Sequence, residues 1–219
     1  MFPGEPMEKN ENRVKKRLPA SERRRVILDA ALETFVEFGY HGALMDTIAE
    51  RADVTKPILY RHFPSKLDLL LAIVDRSGEN LRNSLLRLEE SEADWLTAIR
   101  HAVCSYFDFV EESEAGFRLI YDTDLNVDSK AQERVTEIRL SIIDLVNERV
   151  RHYTDMDSVP EEQVYIIAVM LVGMVESTVI HWMKYSEEPR EVYEESLVSG
   201  VASILAKLPP RKRQGGVAG

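Results

Sequence analysis

Residues 39–66 read GYHGALMDTIAERADVTKPILYRHFPSK, two short segments of helical apolar spacing separated by Asp53-Val54. A helix-turn-helix needs the parts this stretch supplies: a small residue, Ala49, where two helices cross, a turn residue tolerant of positive φ, a cap, and exposed polar groups on the second helix. Asp53 suits the turn because its short polar side chain tolerates the left-handed region. Thr55 is the expected cap of the second helix, and Pro57 in its first turn removes an N–H that has no intrahelical acceptor. Ile48, Val54, Leu59 and Phe63 are left to form a core.

Outward from this stretch the pattern stays helical. Ile27, Ala31, Phe35 and Phe38 predict a first helix capped by Ser21 and stopped at Gly39, followed by short helices over 46–52 and 55–63. Pro64-Ser65 opens a longer helix to about residue 88. Leu96, Ile99, Val103, Phe107 and Val110 share one face, as do Val135, Ile138, Ile142, Leu145 and Val146, with a shorter helix expected over 116–125. Residues 164–175, VYIIAVMLVGMV, form an uncharged run that is too short to span a bilayer and is followed at once by Glu176, Ser177, Thr178 and His181. A helix over 158–185, buried on more than one side and free of any membrane, is the expectation. In the last helix, 191–208, Ser196, Ser199, Gly200 and Ser203 stand among apolar residues. Two such helices per subunit predict a four-helix homodimer interface, with Val179, Trp182, Val201 and Leu205 as candidate contacts. No hairpin signal and no glycine-rich phosphate loop occurs in the sequence. The fold class expected is all-α, divided into a basic flexible arm (1–20), a helix-turn-helix domain (21–66), a larger helical ligand-binding and dimerisation domain (67–208) and a flexible tail (209–219).

Composition narrows the function. The chain has 219 residues, 44% of them hydrophobic and 30% charged, which excludes collagen-like and wholly disordered classes. The net charge of −10 argues against nucleic acid, but it is unevenly spread. Through Lys66 there are 12 Lys and Arg against 10 Asp and Glu, leaving 16 against 28 beyond it. Arg13, Lys15, Lys16, Arg17, Arg23, Arg24 and Arg25 face one acid, Glu22, so the basic end is suited to a polyanion. Cys104 is the one cysteine and reads as a small apolar residue. With no signal-like apolar stretch at the N-terminus, a reducing cytoplasm is the expected compartment. The five histidines are scattered without HExxH spacing and no catalytic arrangement can be read, so no metal, cofactor or enzymatic role is predicted.

Phe35, Gly39, Tyr40, Ile48, Ala49, Ala52, Val54, Thr55, Leu59, Tyr60, His62, Phe63, Ser65, Lys66 and Leu69 follow the pattern FxxxGY, xxIAxxAGVSxGTLYxHF, xSKxxL, and on these residues the chain resembles the TetR family of bacterial transcriptional regulators. It departs from that pattern at three points: Leu44 where a Ser or Thr cap is usual, Asp53 at the turn glycine, and Pro57 at another glycine. The resemblance implies a dimer on palindromic double-stranded operator DNA, with contacts from Thr55, Lys56, Tyr60, His62 and Lys66 and with Tyr40, Thr47 and Arg61 nearby. Lys66 and His62 suit phosphates, whereas Lys56, Tyr60 and Arg61 suit base edges. Local packing is the competing role for Tyr60 and His62.

Glu176, an acid in an apolar helix, must be paired or hydrated, with an Arg as the default partner and a ligand as the alternative. The segments FDFVEESEAGFRLIYDTD (107–124), RLPASERRR and TKPILYRHFPSKLDL resemble the actinobacterial branch of the family that controls fatty-acid synthesis in response to long-chain acyl-CoA. That implies a small apolar effector such as a fatty acyl-CoA. The expected lining is Leu96, Ile99, Val103, Tyr106, Phe107, Phe117, Ile120, Ile142, Met170 and Met174, where methionines suit a flexible chain. A planar drug-like hydrophobe is the rival effector, and a helix-turn-helix protein without an effector is the rival function.

Overall fold

Helical periodicity is realised throughout the residues that the computed structural model describes: 19–86, 95–113, 116–117 and 128–210. They form α1 (Ala20–Gly42), α2 (Met45–Arg51), α3 (Lys56–His62), α4 (Lys66–Leu86), α5 (Trp95–Glu112), α6 (Ser129–Tyr153), α7 (Glu161–Tyr185) and α8 (Arg190–Leu205). The protein is all-α, an N-terminal helix-turn-helix followed by a larger helical domain. Of the short helix expected over 116–125, Gly116 and Phe117 are helical and the remainder lies outside the described residues, as do most of the arm and the tail.

Local chemistry sets the helix ends. Gly39 stands at φ 69 and ψ 166, a conformation essentially reserved for glycine, so the expected stop is a kink after which one more turn reaches Gly42. Leu44 precedes α2 with an extended backbone and offers no side-chain cap. Asp53 makes the turn at φ 51, as its side chain permits. Thr55 occupies the cap position of α3, but its hydroxyl makes no capping bond, contrary to expectation. The reason is local: Pro57 has no amide to offer, and the Ile58 and Leu59 amides donate to the Thr55 carbonyl at 2.9 and 3.0 Å. The α4 entry is capped properly, since the Asp68 amide donates to Ser65 Oγ at 3.1 Å while the Ser65 hydroxyl donates to Asp68 Oδ2 at 2.7 Å.

Two cores result. In the first, Ile27, Ala31 and Phe35 of α1 meet Ile48 and Ala49 of α2, Leu59 of α3 and Leu69, Leu70, Ile73 and Val74 of α4. Ala131 of α6 closes this core, which therefore extends well past residue 66. In the second, Val103, Phe107 and Val110 of α5 pack with Ile142 and Val150 of α6, Val164, Leu171 and Val179 of α7, and Leu197 and Val201 of α8. Helix α4 belongs to both, because Leu81 sits in the second core. Arg76 pairs with Asp29 of α1 at 2.6 Å and Arg134 of α6 pairs with Asp75 of α4 at 2.5 Å. At Gly78 the α4 backbone approaches α6 so closely that a Cβ there would lie 2.8 Å from the Ile138 side chain.

By length and composition α7 could cross a membrane, with a mean hydropathy of 1.9 in its most apolar stretch, a property that core helices of soluble proteins share. Here it packs on α6 and α8 and buries Glu176, whose carboxylate pairs with Arg139 of α6. Its other face leaves Ile166, Val169 and Met170 exposed.

Nothing lies within 4 Å of a Cβ built on Gly39, so substitution there meets backbone strain and no clash. Gly39→Ala is expected to lower unfolding stability by about 1–3 kcal/mol. Urea titration of the full chain checks this, and an unchanged midpoint would show that the kink relaxes freely.

Candidate nucleic-acid interface and effector cavity

Helix α3 turns Leu59 into the core and presents Lys56, Pro57, Tyr60 and Arg61 outward, with Thr55 exposed just before them. Lys56 reaches back to Asp46 of α2 at 2.6 Å, and this hydrogen bond raises its pKa. The outward face thus carries hydroxyl, ammonium and guanidinium groups on a short rigid helix, the donor set that reads base edges and phosphates.

Three residues expected beside that face hold the motif together. Lys66 is half-buried: its ammonium donates to the backbone carbonyls of His41 at 3.2 Å and Ala43 at 2.9 Å and lies 4.7 Å from the centre of the Tyr40 ring. A cation is favoured there because the end of α1 has carbonyls without intrahelical partners. Lys66 thereby ties α1 to α4, and burial lowers its pKa. Tyr40, also half-buried, packs on Phe35, and Thr47 on α2 is half-buried as well.

His62 is half-buried as well. Its Nε2 is buried without a hydrogen-bond partner, and its pKa is lowered first by burial and then by Arg61, Arg23 and Arg24. Arg24 lies 4.9 Å over the Phe63 ring, so the basic start of α1 stands beside the end of α3.

The second core surrounds a cavity of about 790 Å³, within the size range of small-molecule sites. Of the expected lining, Ile99, Val103, Tyr106 and Ile142 are brought together there. Phe117 and Glu176 line a smaller chamber of about 40 Å³ that shares Tyr106, Ile142 and Val172 with the large one and reaches Ser77 and Gly78 of α4. Leu96 and Met170 are exposed and face away from the cavity. Phe107 is fully buried behind it, edge-on to Trp182 with ring centres 5.0 Å apart. Met174 lies against Gly200 where α7 meets α8, and Ile120 falls outside the described residues.

The expected dimer contacts face inward. Val179 is fully buried in its own subunit, Trp182 packs on Phe107, and Val201 and Leu205 line the cavity. The exposed apolar residues of α7 lie on the opposite side, because a helix that is apolar all round carries no hydropathic signal of which face is inside.

Sequence reasoning missed the cavity rim: Trp95, Arg149, His152, Tyr153, Leu208 and Pro210. The rim is assembled from the start of α5, the end of α6 and the segment after α8, which is pinned by the Asp155 amide donating to the Pro209 carbonyl at 2.8 Å. Arg149 and His152, three apart on one helix, were the available signal.

The His62 environment fixes a pH dependence. A lowered folded pKa means that the unfolded chain takes up the proton first, so stability is complete above the ordinary histidine pKa of about 6.5 and is lost as pH falls through and below it. Melting of the wild type should fall between pH 7.5 and 5.5 by more than that of His62→Gln, and equal falls would remove this assignment.

Residues 27–73 match the bacterial regulatory proteins of the tetR family, and residues 96–204 match the tetracyclin repressor-like C-terminal domain. The transcriptional activator FasR of Mycolicibacterium smegmatis is 47% identical over 113 residues, 52% of each chain, so the match spans about half the length of that relative. The repressor KstR of the same organism is 47% identical over 60 residues, 27% of this chain and 29% of that one. A TetR-like regulator from Rhodococcus sp. RHA1 superposes with a TM-score of 0.67 at 25% identity over 87% of this chain and all of the other. FadR from Bacillus subtilis, solved in complex with stearoyl-CoA, gives 0.66 at 18% identity over 84% and 97%. The two matched regions, with the helix-turn-helix and the helical domain in their expected order, establish that this chain belongs to the TetR family of bacterial transcriptional regulators.

Proposed function

We propose that this protein is a homodimeric regulator that binds palindromic operator DNA and changes its affinity for it when a long apolar effector, a fatty acyl-CoA, enters the large cavity. The observation that carries the reading is the placement of that cavity: apolar, of ligand size, and adjoining a small chamber whose wall is α4, the helix that enters the helix-turn-helix core. An effector acts only through a difference in affinity between two arrangements, and an element shared by both cores is where such a difference is expressed. FadR from Bacillus subtilis, a neighbour in fold, was solved in complex with stearoyl-CoA, which supports a fatty-acyl effector.

Thr55, Lys56, Tyr60 and Arg61 are the residues proposed to touch DNA, with Arg23 to Arg25 and the arm before them on the phosphates. Tyr40, Thr47, His62 and Lys66 support the motif from behind. Dimerisation is assigned to the exposed side of α7, through Ile166, Val169 and Met170, because a monomer would leave that apolar surface in water.

On its operator, Arg61→Ala is expected to cost about 1–3 kcal/mol, with a smaller loss on random DNA; equal losses would make Arg61 a backbone contact. Ile166→Asp should shift sedimentation toward monomer and weaken operator binding with it, and a dimer that persists would move the interface elsewhere. Titrating the protein–operator complex with acyl-CoAs of increasing chain length should change DNA affinity progressively, each buried CH₂ adding up to about 0.8 kcal/mol. A response to planar hydrophobes and to no acyl-CoA of any length would overturn the effector assignment.

A further inference from the structure

The cavity is not uniform along its length. Its deep walls, Val103, Tyr106, Ile142, Leu171 and Val201, are buried and apolar, apart from the Tyr106 hydroxyl. Its exposed lining residues, Trp95, His152, Ala206 and Pro210, come from the start of α5, the end of α6 and the segment after α8. The arginine of the lining, Arg149, stands near the same end of α6. Arg149 and His152 sit three residues apart on α6, on the face that also carries the wall residues Val146 and Val150.

The state of Arg149 is unusual for this domain, which holds 28 acids against 16 basic residues beyond Lys66. Its other half-buried arginines are matched: Arg76 to Asp29, Arg151 to Glu161, and Arg190 to Asp108, Glu111 and Glu194. Even the exposed Arg100, Arg134 and Arg139 have carboxylate partners. Arg149 is half-buried against the cavity, and no acid among the described residues pairs with it. A guanidinium cannot shed its charge by losing a proton, so a half-buried one without a carboxylate is placed to receive an anion from outside the chain.

Resting on the reading of the cavity as an acyl-effector site, we propose that the effector lies in it with a fixed polarity: its anionic head is held at the rim by Arg149 with His152, and its alkyl chain runs inward past Tyr106 toward Ser77 and Gly78 of α4. The ligand class that fits is a single long alkyl chain ending in an anion, either a carboxylate or the phosphates of a thioester-linked carrier. A neutral chain satisfies the walls and leaves the arginine unanswered. The reverse orientation puts the head in the small chamber, where Arg139 is already paired with the Glu176 carboxylate and so is not placed to receive it.

Direct binding to the full-length protein without DNA tests this separately from regulation, with stearoyl-CoA, stearate, stearyl alcohol and CoA as probes in calorimetric titration. For Arg149→Ala we expect stearoyl-CoA to bind about ten- to a hundredfold more weakly, the range of a hydrogen bond to a charged group, while stearyl alcohol is unchanged. Arg149→Glu should lose more and Arg149→Lys should recover part. Ile142→Trp, which fills the passage inward, should weaken the acid, the thioester and the alcohol alike. If stearate shares the Arg149 dependence, the head is read as a carboxylate; if stearoyl-CoA alone shows it, the carrier phosphates are read, and either result supports the fixed polarity. Unchanged stearoyl-CoA affinity in Arg149→Ala, with the Ile142→Trp loss intact, overturns the polarity and leaves the acyl reading standing. Absence of binding by every stearyl probe to the wild type overturns both.

Discussion

Helix α4 has to satisfy two cores at once, and the rest of the structure is arranged around that constraint. Its first half gives Leu69, Leu70, Ile73 and Val74 to the core that carries the recognition helix, and Leu81 and Leu85 pack in the other. Between them Gly78 meets Ile138 at a distance that leaves no room for a side chain. Close-packed interiors transmit displacement and do not absorb it, so a change in the second core reaches the first through α4. The ion pairs of α4 with α1 and α6, Arg76 with Asp29 and Arg134 with Asp75, both lie within one turn before that crossing. They are partly exposed and contribute little energy, but they restrict rotation of α4 about its own axis.

Glu176 shows how the helical domain accommodates charge near an apolar cavity. It is the buried acid of α7, and its carboxylate is matched by Arg139, whose own side chain is half exposed. Removing Arg139 would leave a buried charge uncompensated, which is a larger penalty than the pair's own net contribution. The pair therefore serves to hold α6 and α7 in register beside the small chamber.

Much of this was legible in the sequence, and the failures have physical causes. The helix-turn-helix could be read because its requirements are local: Ala49 at the crossing, Asp53 at a positive φ and Leu59 facing inward each follow from neighbours a few residues away. Glu176 was legible as a paired acid for the same reason that it is rare. Lys66 and His62, expected to suit phosphates, are half-buried, since a lysine stem and an imidazole ring bury readily when carbonyls or an aromatic ring stand nearby. The assignments on α7 failed differently. Val179 and Met170 have the same apolar character, and only the phase of the helix against α6 and α8, fixed by contacts far apart in sequence, puts one inside and the other out. The rim was invisible for a related reason, since it joins the ends of helices that are some fifty residues apart.

The outward face of α7 closes the physical account. A helix buried on one side in its own subunit and apolar on the other is unfavourable in water, and Gly173, where a Cβ would meet nothing within 4 Å, keeps that surface low. With the dimer proposed above, a second copy covers it, and the two-fold axis then fixes the distance between the two recognition helices through a chain of rigid elements: α7, α6, α4, α1, α2 and α3. Each link is a packed helix pair with little freedom of its own. A small displacement of α4 on one subunit is repeated by symmetry on the other, so the change in separation at the DNA is up to twice the displacement of either recognition helix. Under that geometry a coupling of about 1–3 kcal/mol between effector and operator requires no large rearrangement, only that the filled and empty cavities favour slightly different positions of one helix.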